Sequence, residues 1–272
     1  MTANLFIILL LAVTLSINTV GFRNIVHFVN VGYAFSIIAL CLLASLYFRS
    51  QLSFFSILQL AGLIIWGTRL GVFVLRREAR PSYQQESQRL QNRYGNVNNP
   101  GKFFIWIAVS VLYVLMFLPA FYHLTETLQF STPIFYAVEL SGGVLLFGGL
   151  LLETGADQQK SAFKTLHPKE FCDIGLYRWV RCPNYLGEIL IWIGSWVMGV
   201  PFYAGLWPWL GSLIGLACII FIMMGSTKRL EDEQEKRYGD VPEYQIYIRS
   251  VPILFPFIPV YTFKKISLKG NH

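Results

Sequence analysis

The sequence predicts an all-α, polytopic membrane protein of seven transmembrane helices, with its N-terminus outside and its C-terminus in the cytosol. Three observations predict it. Of 272 residues, 54% are hydrophobic and only 14% charged, more apolar surface than one soluble core of that length needs. Seven apolar runs are long enough to cross a hydrocarbon layer of about 30 Å, which takes about 20 helical residues. Lys and Arg, finally, alternate between connecting segments in the way that retention on the cytosolic side requires.

The first run, 3–20, has no basic segment before it and no small-residue cleavage site ahead of the polar break at Gly21 to Arg23. It therefore reads as a span and not as a cleaved signal. The others are 29–48, 54–75, 103–122, 133–152, 186–203 and 206–224. With the N-terminus outside, the inside segments 21–28, 76–102, 153–185 and 225–272 hold 1, 6, 5 and 8 basic residues, 20 of the 22. The exceptions are Arg49 and Arg69, and an even number of spans would break the alternation. Beyond the last span, 226–249 is dense in charge and reads as a helix continuing into water, interrupted near Tyr238-Gly239 and Pro242. Residues 251–259 are apolar but short and Pro-rich, and are expected to lie in the interface or cap the bundle.

The net charge of +7 follows from this topology and from attraction to anionic membrane lipids, which argues against nucleic-acid binding. Cys41, Cys172, Cys182 and Cys218 show no paired spacing, and His27, His123, His167 and His272 form no ligand constellation. No metal site and no disulfide is expected. Without repeats or a linker, 1–272 is one membrane domain, and its polar segments at the cytosolic side are where function should sit.

Ionisable side chains at membrane depth cost roughly 2.5–3.5 kcal/mol, so each is a candidate. Arg69 can also be a snorkelling anchor, Glu139 a packing or topology residue, and Asn30, beside Tyr33, an interhelical hydrogen-bonding group. Glu153, Asp157 and Lys160 or Lys164 fall on one helical stripe leaving the membrane. After a Gly turn and Tyr177-Arg178-Trp179 comes Arg181-Cys182-Pro183-Asn184-Tyr185-Leu186-Gly187-Glu188. There Pro183 can open a helix, Asn184 offers donor and acceptor, and Gly187 admits close backbone approach. Arg pairs with phosphate, and carboxylates accept from ribose hydroxyls or an amide.

That run resembles the RHPNYxGE signature of the membrane steroid 5α-reductase superfamily, in its bacterial branch of small reductase-like proteins. The tail Arg229, Lys236-Arg237-Tyr238-Gly239, Tyr244, Val251-Pro252 and Pro256 is similar to the closing pattern of sterol Δ14/Δ7 reductases, and Trp66-Gly67-Thr68-Arg69-Leu70 with Arg77 and Arg80-Pro81 resembles them as well. The resemblance covers roughly 60–258. It implies an NADPH-dependent oxidoreductase that reduces an activated carbon–carbon double bond of a lipid ketone, such as the 4-ene of a 3-oxo-4-ene steroid. It places helices 1–3, within 1–75, around the substrate cavity, and the cofactor in helices and loops of 76–258. By position, Glu153, Asp157, Asn184 and Glu188 match cofactor-binding residues, with Tyr185 and Arg181 in the same turn. Arg69 and Arg80 would face phosphates, and Lys164 and Arg229 add basic groups that favour NADPH over NADH. The cofactor side would face the cytosol of a bacterial inner membrane, and the lipid would enter from the bilayer. A monomer is compatible with all of this.

The family's carbonyl-polarising Glu and Tyr are absent here: the Tyr position falls on Trp66, and the Glu has no match. Indole donates one hydrogen bond but supplies no proton at useful rates. Tyr33 is therefore assigned as donor to the ketone oxygen, with Asn30 orienting it. Two alternatives stay open. Isoprenylcysteine and phospholipid methyltransferases share a related Arg-x-Pro-x-Tyr-x-Gly turn, with Glu231 and Glu233 available for S-adenosylmethionine. A non-enzymatic lipid-binding or scaffold protein is the other.

Overall fold

In the computed structural model, residues 3–78 and 97–263 are described. Among the described residues eight α-helices run in the order α1 Ala3–Asn18, α2 Val31–Tyr47, α3 Phe54–Glu78, α4 Asn99–Thr125, α5 Thr132–Leu166, α6 Pro183–Gly199, α7 Leu206–Tyr238 and α8 Pro242–Ser250, and no strand occurs. Seven helices among the described residues are long and apolar enough to cross a membrane. Large apolar side chains such as Trp207, Leu151 and Phe104 are 78%, 74% and 73% exposed, a surface suited to lipid and unsuited to water.

The helix ends follow local chemistry. Two 3-10 turns, Thr19–Phe22 and Ile25–Phe28, occupy the polar break between α1 and α2, and the Asn24 side chain accepts the Val26 N–H at 3.1 Å. Asn98 caps α4 by accepting from Gly101 N at 2.9 Å. Helices α5 and α7 run past the expected span ends at 152 and 224, because the charged residues that follow are good helix formers with supportive spacing. α7 stops at Tyr238, and Pro242 opens α8.

The chain divides into two compact units, Met1–Gly143 with Ser195–Leu216, and Val144–Gly194 with Ala217–His272. In the first, buried Phe6 meets Tyr47 and Phe48 with ring centroids 4.9 and 4.8 Å apart. Polar cross-links accompany this packing: Asn18 Nδ2 donates to Ser36 Oγ at 3.3 Å and Ser110 Oγ at 3.2 Å, and Trp106 Nε1 donates to Leu15 O at 2.8 Å. In an apolar medium such bonds fix helix register where burial of oil against oil cannot.

The second unit has its own small core of Ala156, Cys172 and Tyr177, flanked by Phe163 and Leu176. The proline-rich tail belongs here: Ile253 and Leu254 are buried, whereas Phe257 is 89% exposed. Part of the tail thus caps its unit and part projects outward.

Candidate functional site

In the second unit the signature turn is built on two glycines. A Cβ on Gly187 of α6 would lie 2.7 Å from both the Gly149 carbonyl oxygen and the Glu153 amide nitrogen of α5, and a Cβ on Gly149 would lie 2.5 Å from the Gly187 carbonyl oxygen. Only backbone fits, so the two helices touch at this point. Glu153 and Glu188 are buried beside the contact, at 4% and 7% exposure. Asp157, one turn further along α5, and Asn184 and Tyr185, in the first turn of α6, are half-buried.

The approach to the turn is held from several sides. Gly175 has φ +54, and a Cβ there would sit 1.8 Å from Gln159 Nε2. The Leu176 N–H donates to Gln159 Oε1 at 2.9 Å, and Tyr177 Oη donates to Ala156 O at 3.3 Å, fastening the 3-10 turn Gly175–Arg178 to α5. Tyr247 Oη of α8 donates to Tyr177 O at 2.8 Å. The amides of Arg181 and Cys182 then donate to the Pro252 and Ile253 carbonyls at 2.9 and 3.1 Å.

Arg181, 2% exposed, ends in this scaffold. One guanidinium nitrogen lies 3.4 Å from Glu231 Oε1 and donates to the Tyr261 carbonyl, while Glu231 Oε2 accepts the Phe263 N–H at 3.1 Å. Arg181 Nε has no hydrogen bond among the described residues. Lys164 donates to Tyr238 Oη at 2.7 Å and to the Glu170 carbonyl, tying the end of α5 to α7. Arg229 is exposed on α7.

Burial pushes the Cys182 thiol up to about 11, with Lys160 and Arg181 pulling against it, and pushes the Tyr244 phenol up to about 12 against the pull of Arg181. Tyr177 and Tyr247 are raised as well, first by burial. At neutral pH these groups are hydrogen-bond donors and neither bases nor nucleophiles.

In the first unit, Tyr33 and Trp66 come together. Both are buried, with ring centroids 4.9 Å apart in an edge-on arrangement. Tyr113 of α4 stacks on Tyr33 at 5.1 Å and donates its hydroxyl to Phe28 O at 2.6 Å. Tyr113 is a residue that sequence reasoning missed; its signal was a phenol inside an apolar run. Asn30 is half-buried at the N-cap of α2 and makes no side-chain cap bond. Arg69 is half-buried on α3, and Arg80 lies outside the described residues.

Among the described residues no cluster of three or more His, Cys, Asp or Glu could hold a metal ion. For a dinucleotide the second unit offers a polar set of two buried carboxylates with the half-buried Asp157 and Asn184. Carboxylates of this kind accept from sugar hydroxyls, and an amide side chain both donates and accepts.

The family model described as "Protein of unknown function (DUF1295)" matches residues 19–251. An uncharacterized protein of Schizosaccharomyces pombe is 25% identical, the match covering 60% of this chain and 57% of the relative, so the chain spans little more than half of that relative's length. No solved structure matches.

Proposed function

The chain belongs to the DUF1295 family, within the steroid 5α-reductase-like superfamily, and from that membership we propose that it is an NADPH-dependent oxidoreductase acting on an activated carbon–carbon double bond of a lipid ketone. The observation that carries this reading is the Gly149–Gly187 contact, which brings Glu153 of α5 to the signature turn of α6 that carries Asn184 and Glu188. These are the positions that the superfamily resemblance assigns to the cofactor.

In this reading Glu153, Asp157 and Glu188 accept hydrogen bonds from ribose hydroxyls and the carboxamide, and Asn184 both donates and accepts. Arg69, Arg80 and Arg229 supply positive charge for phosphates, the 2′-phosphate of NADPH included. Arg181, paired with Glu231, fixes the turn, and Lys164, bonded to Tyr238, fixes the end of α5. When bound, the reduced nicotinamide supplies a hydride to the β-carbon of the enone. Negative charge then grows on the ketone oxygen, where Tyr33 donates a hydrogen bond, its ring held by Trp66 and Tyr113. One proton taken up at the α-carbon completes the reduction. The substrate is a 3-oxo-4-ene steroid or a similar lipid enone that enters from the bilayer, and the cofactor arrives from the cytosol of an inner membrane.

The test is ligand titration of the purified full chain in detergent, followed by NADPH oxidation against a panel of 3-oxo-4-ene steroids and other lipid enones. Quenching of tryptophan fluorescence by NADPH, weakened in Asn184→Ala and Asp157→Ala, is the expected result. Binding of S-adenosylmethionine with no response to NADPH would replace the reductase by the methyltransferase reading, in which Glu231 and Glu233 hold that ligand.

A further inference from the structure

A second group of buried polar residues lies wholly within the first unit, and reduction chemistry makes no use of it. Gln59 of α3, His123 of α4, Glu139 of α5 and Ser195 of α6 are 0%, 5%, 0% and 1% exposed. The His123 ring stacks on Phe202 with centroids 4.4 Å apart, and Phe202 in turn meets Phe135 edge-on at 6.1 Å, so the surroundings are apolar and aromatic.

The hydrogen bonds in this group determine one another. Gln59 Nε2 donates to the Ser195 carbonyl at 2.8 Å and to its hydroxyl at 3.1 Å. A carbonyl can only accept, so the orientation of the Gln59 amide is settled and its Oε1 faces His123 Nδ1, 2.8 Å away, as an acceptor. His123 Nδ1 must therefore carry a hydrogen. In the neutral ring Nε2 is then the bare nitrogen, and it looks across 3.7 Å at Glu139 Oε1. Neither Glu139 oxygen, nor His123 Nε2, has a hydrogen bond among the described residues.

An ionised carboxylate at full burial needs donors for its lone pairs, and ion pairs at such depth persist only when further hydrogen bonds satisfy them. Glu139 has no such donor. If Glu139 were ionised and His123 neutral, two lone pairs would face each other around an uncompensated buried charge. A single proton on Glu139 removes both problems: the charge is gone, and the acid O–H has His123 Nε2, 3.7 Å away, as the acceptor it can turn toward.

We propose that Glu139 and His123 form a proton-binding site at membrane depth, in which Glu139 holds the proton as a neutral carboxylic acid directed at His123 Nε2, with Gln59 and Ser195 setting the tautomer of the ring. The titratable side chains nearest to the pair along these segments are Tyr122 and Glu126 around the end of α4, Tyr136 on α5 and Tyr203 beyond α6. Glu126 is half-exposed at the end of α4, and Tyr203 Oη donates to Trp196 O at 3.0 Å. The site's ligand is the proton itself. Gln59 lies seven residues before Trp66 on α3, the same helical face two turns away, about 10 Å along the axis. The site thus continues the buried stripe that carries the Tyr33–Trp66 pair, and it stands whether or not the chain is a reductase.

Infrared difference spectroscopy of the full chain in detergent at neutral pH tests this. A protonated carboxyl has a carbonyl stretch above that of a carboxylate, and it shifts down in deuterium oxide. We expect one such band in the wild type that is absent in Glu139→Gln and moves to higher frequency in His123→Leu, where the acceptor is lost. A protonated-carboxyl region identical in wild type and Glu139→Gln would overturn the proposal. Should Glu139→Gln fail to fold, the His123→Leu comparison decides: a shifted band supports the site, and an unshifted or absent one overturns it.

Discussion

Gly149 and Gly187 face each other across α5 and α6 so closely that a Cβ on either would stand 2.7 Å or less from the other's carbonyl oxygen. No side chain can rotate away from such a clash, because the opposing atom is backbone. Gly187→Ala should destabilise the protein by about 1–3 kcal/mol, the usual range for overpacking, and should weaken NADPH binding by pushing the first turn of α6 away from Glu153. Gly155→Ala is the control: its Cβ would meet only Leu176 Cδ1 at 3.6 Å, ordinary contact. Thermal unfolding in detergent should separate the two variants, and equal loss in both would count against a backbone-to-backbone contact as the cause.

The Arg181–Glu231 pair calls for a double-mutant cycle. Both side chains are at most 5% exposed, so removing one leaves a buried charge behind, at a cost of about 3–5 kcal/mol. Arg181→Met and Glu231→Leu should each unfold at lower temperature, and the double variant should recover much of the loss. Additive losses would mean that the two side chains act separately.

For the reduction itself, Tyr33→Phe removes a donor and leaves the packing on Trp66 and Tyr113 in place. Loss of one oxyanion-type donor lowers turnover by about 10²–10³-fold. NADPH affinity should stay as in the wild type, since Tyr33 is not among the cofactor ligands. A turnover rate unchanged with a competent enone would move the donor role to another residue.

Alkaline pH should loosen the second unit. Burial raises the Cys182 thiol from its ordinary value of 9.0 to about 11, so in this window the unfolded chain releases a proton that the folded one keeps. Stability therefore falls as pH rises from about 9 to about 11, by about 2–3 kcal/mol from this group, and is fully present below pH 9. Cys182→Ala should flatten that part of the pH profile of the unfolding temperature. The unresolved share of the slope belongs to the raised phenols Tyr177, Tyr244 and Tyr247.

Much of this protein is written along the chain itself. Spans are legible because about 20 consecutive apolar residues satisfy the bilayer without reference to anything distant, and the stop at Tyr238 with the restart at Pro242 is legible because Gly and Pro act locally. The approach of Glu153 to the 181–188 turn was inferred by resemblance, whereas its physical cause, glycine against glycine, depends on two helices meeting and cannot be seen in either run alone. The same holds for Arg181: its residue type announces a phosphate ligand, but the fold supplies Glu231, 50 residues later, and the tail carbonyl of Tyr261. His123 and Glu139 are isolated polar residues in two apolar runs, with no motif to connect them. Tertiary structure alone sets them 3.7 Å apart, because hydrogen bonds and ion pairs are made between helices, and the sequence determines each helix but not which of its faces finds a partner.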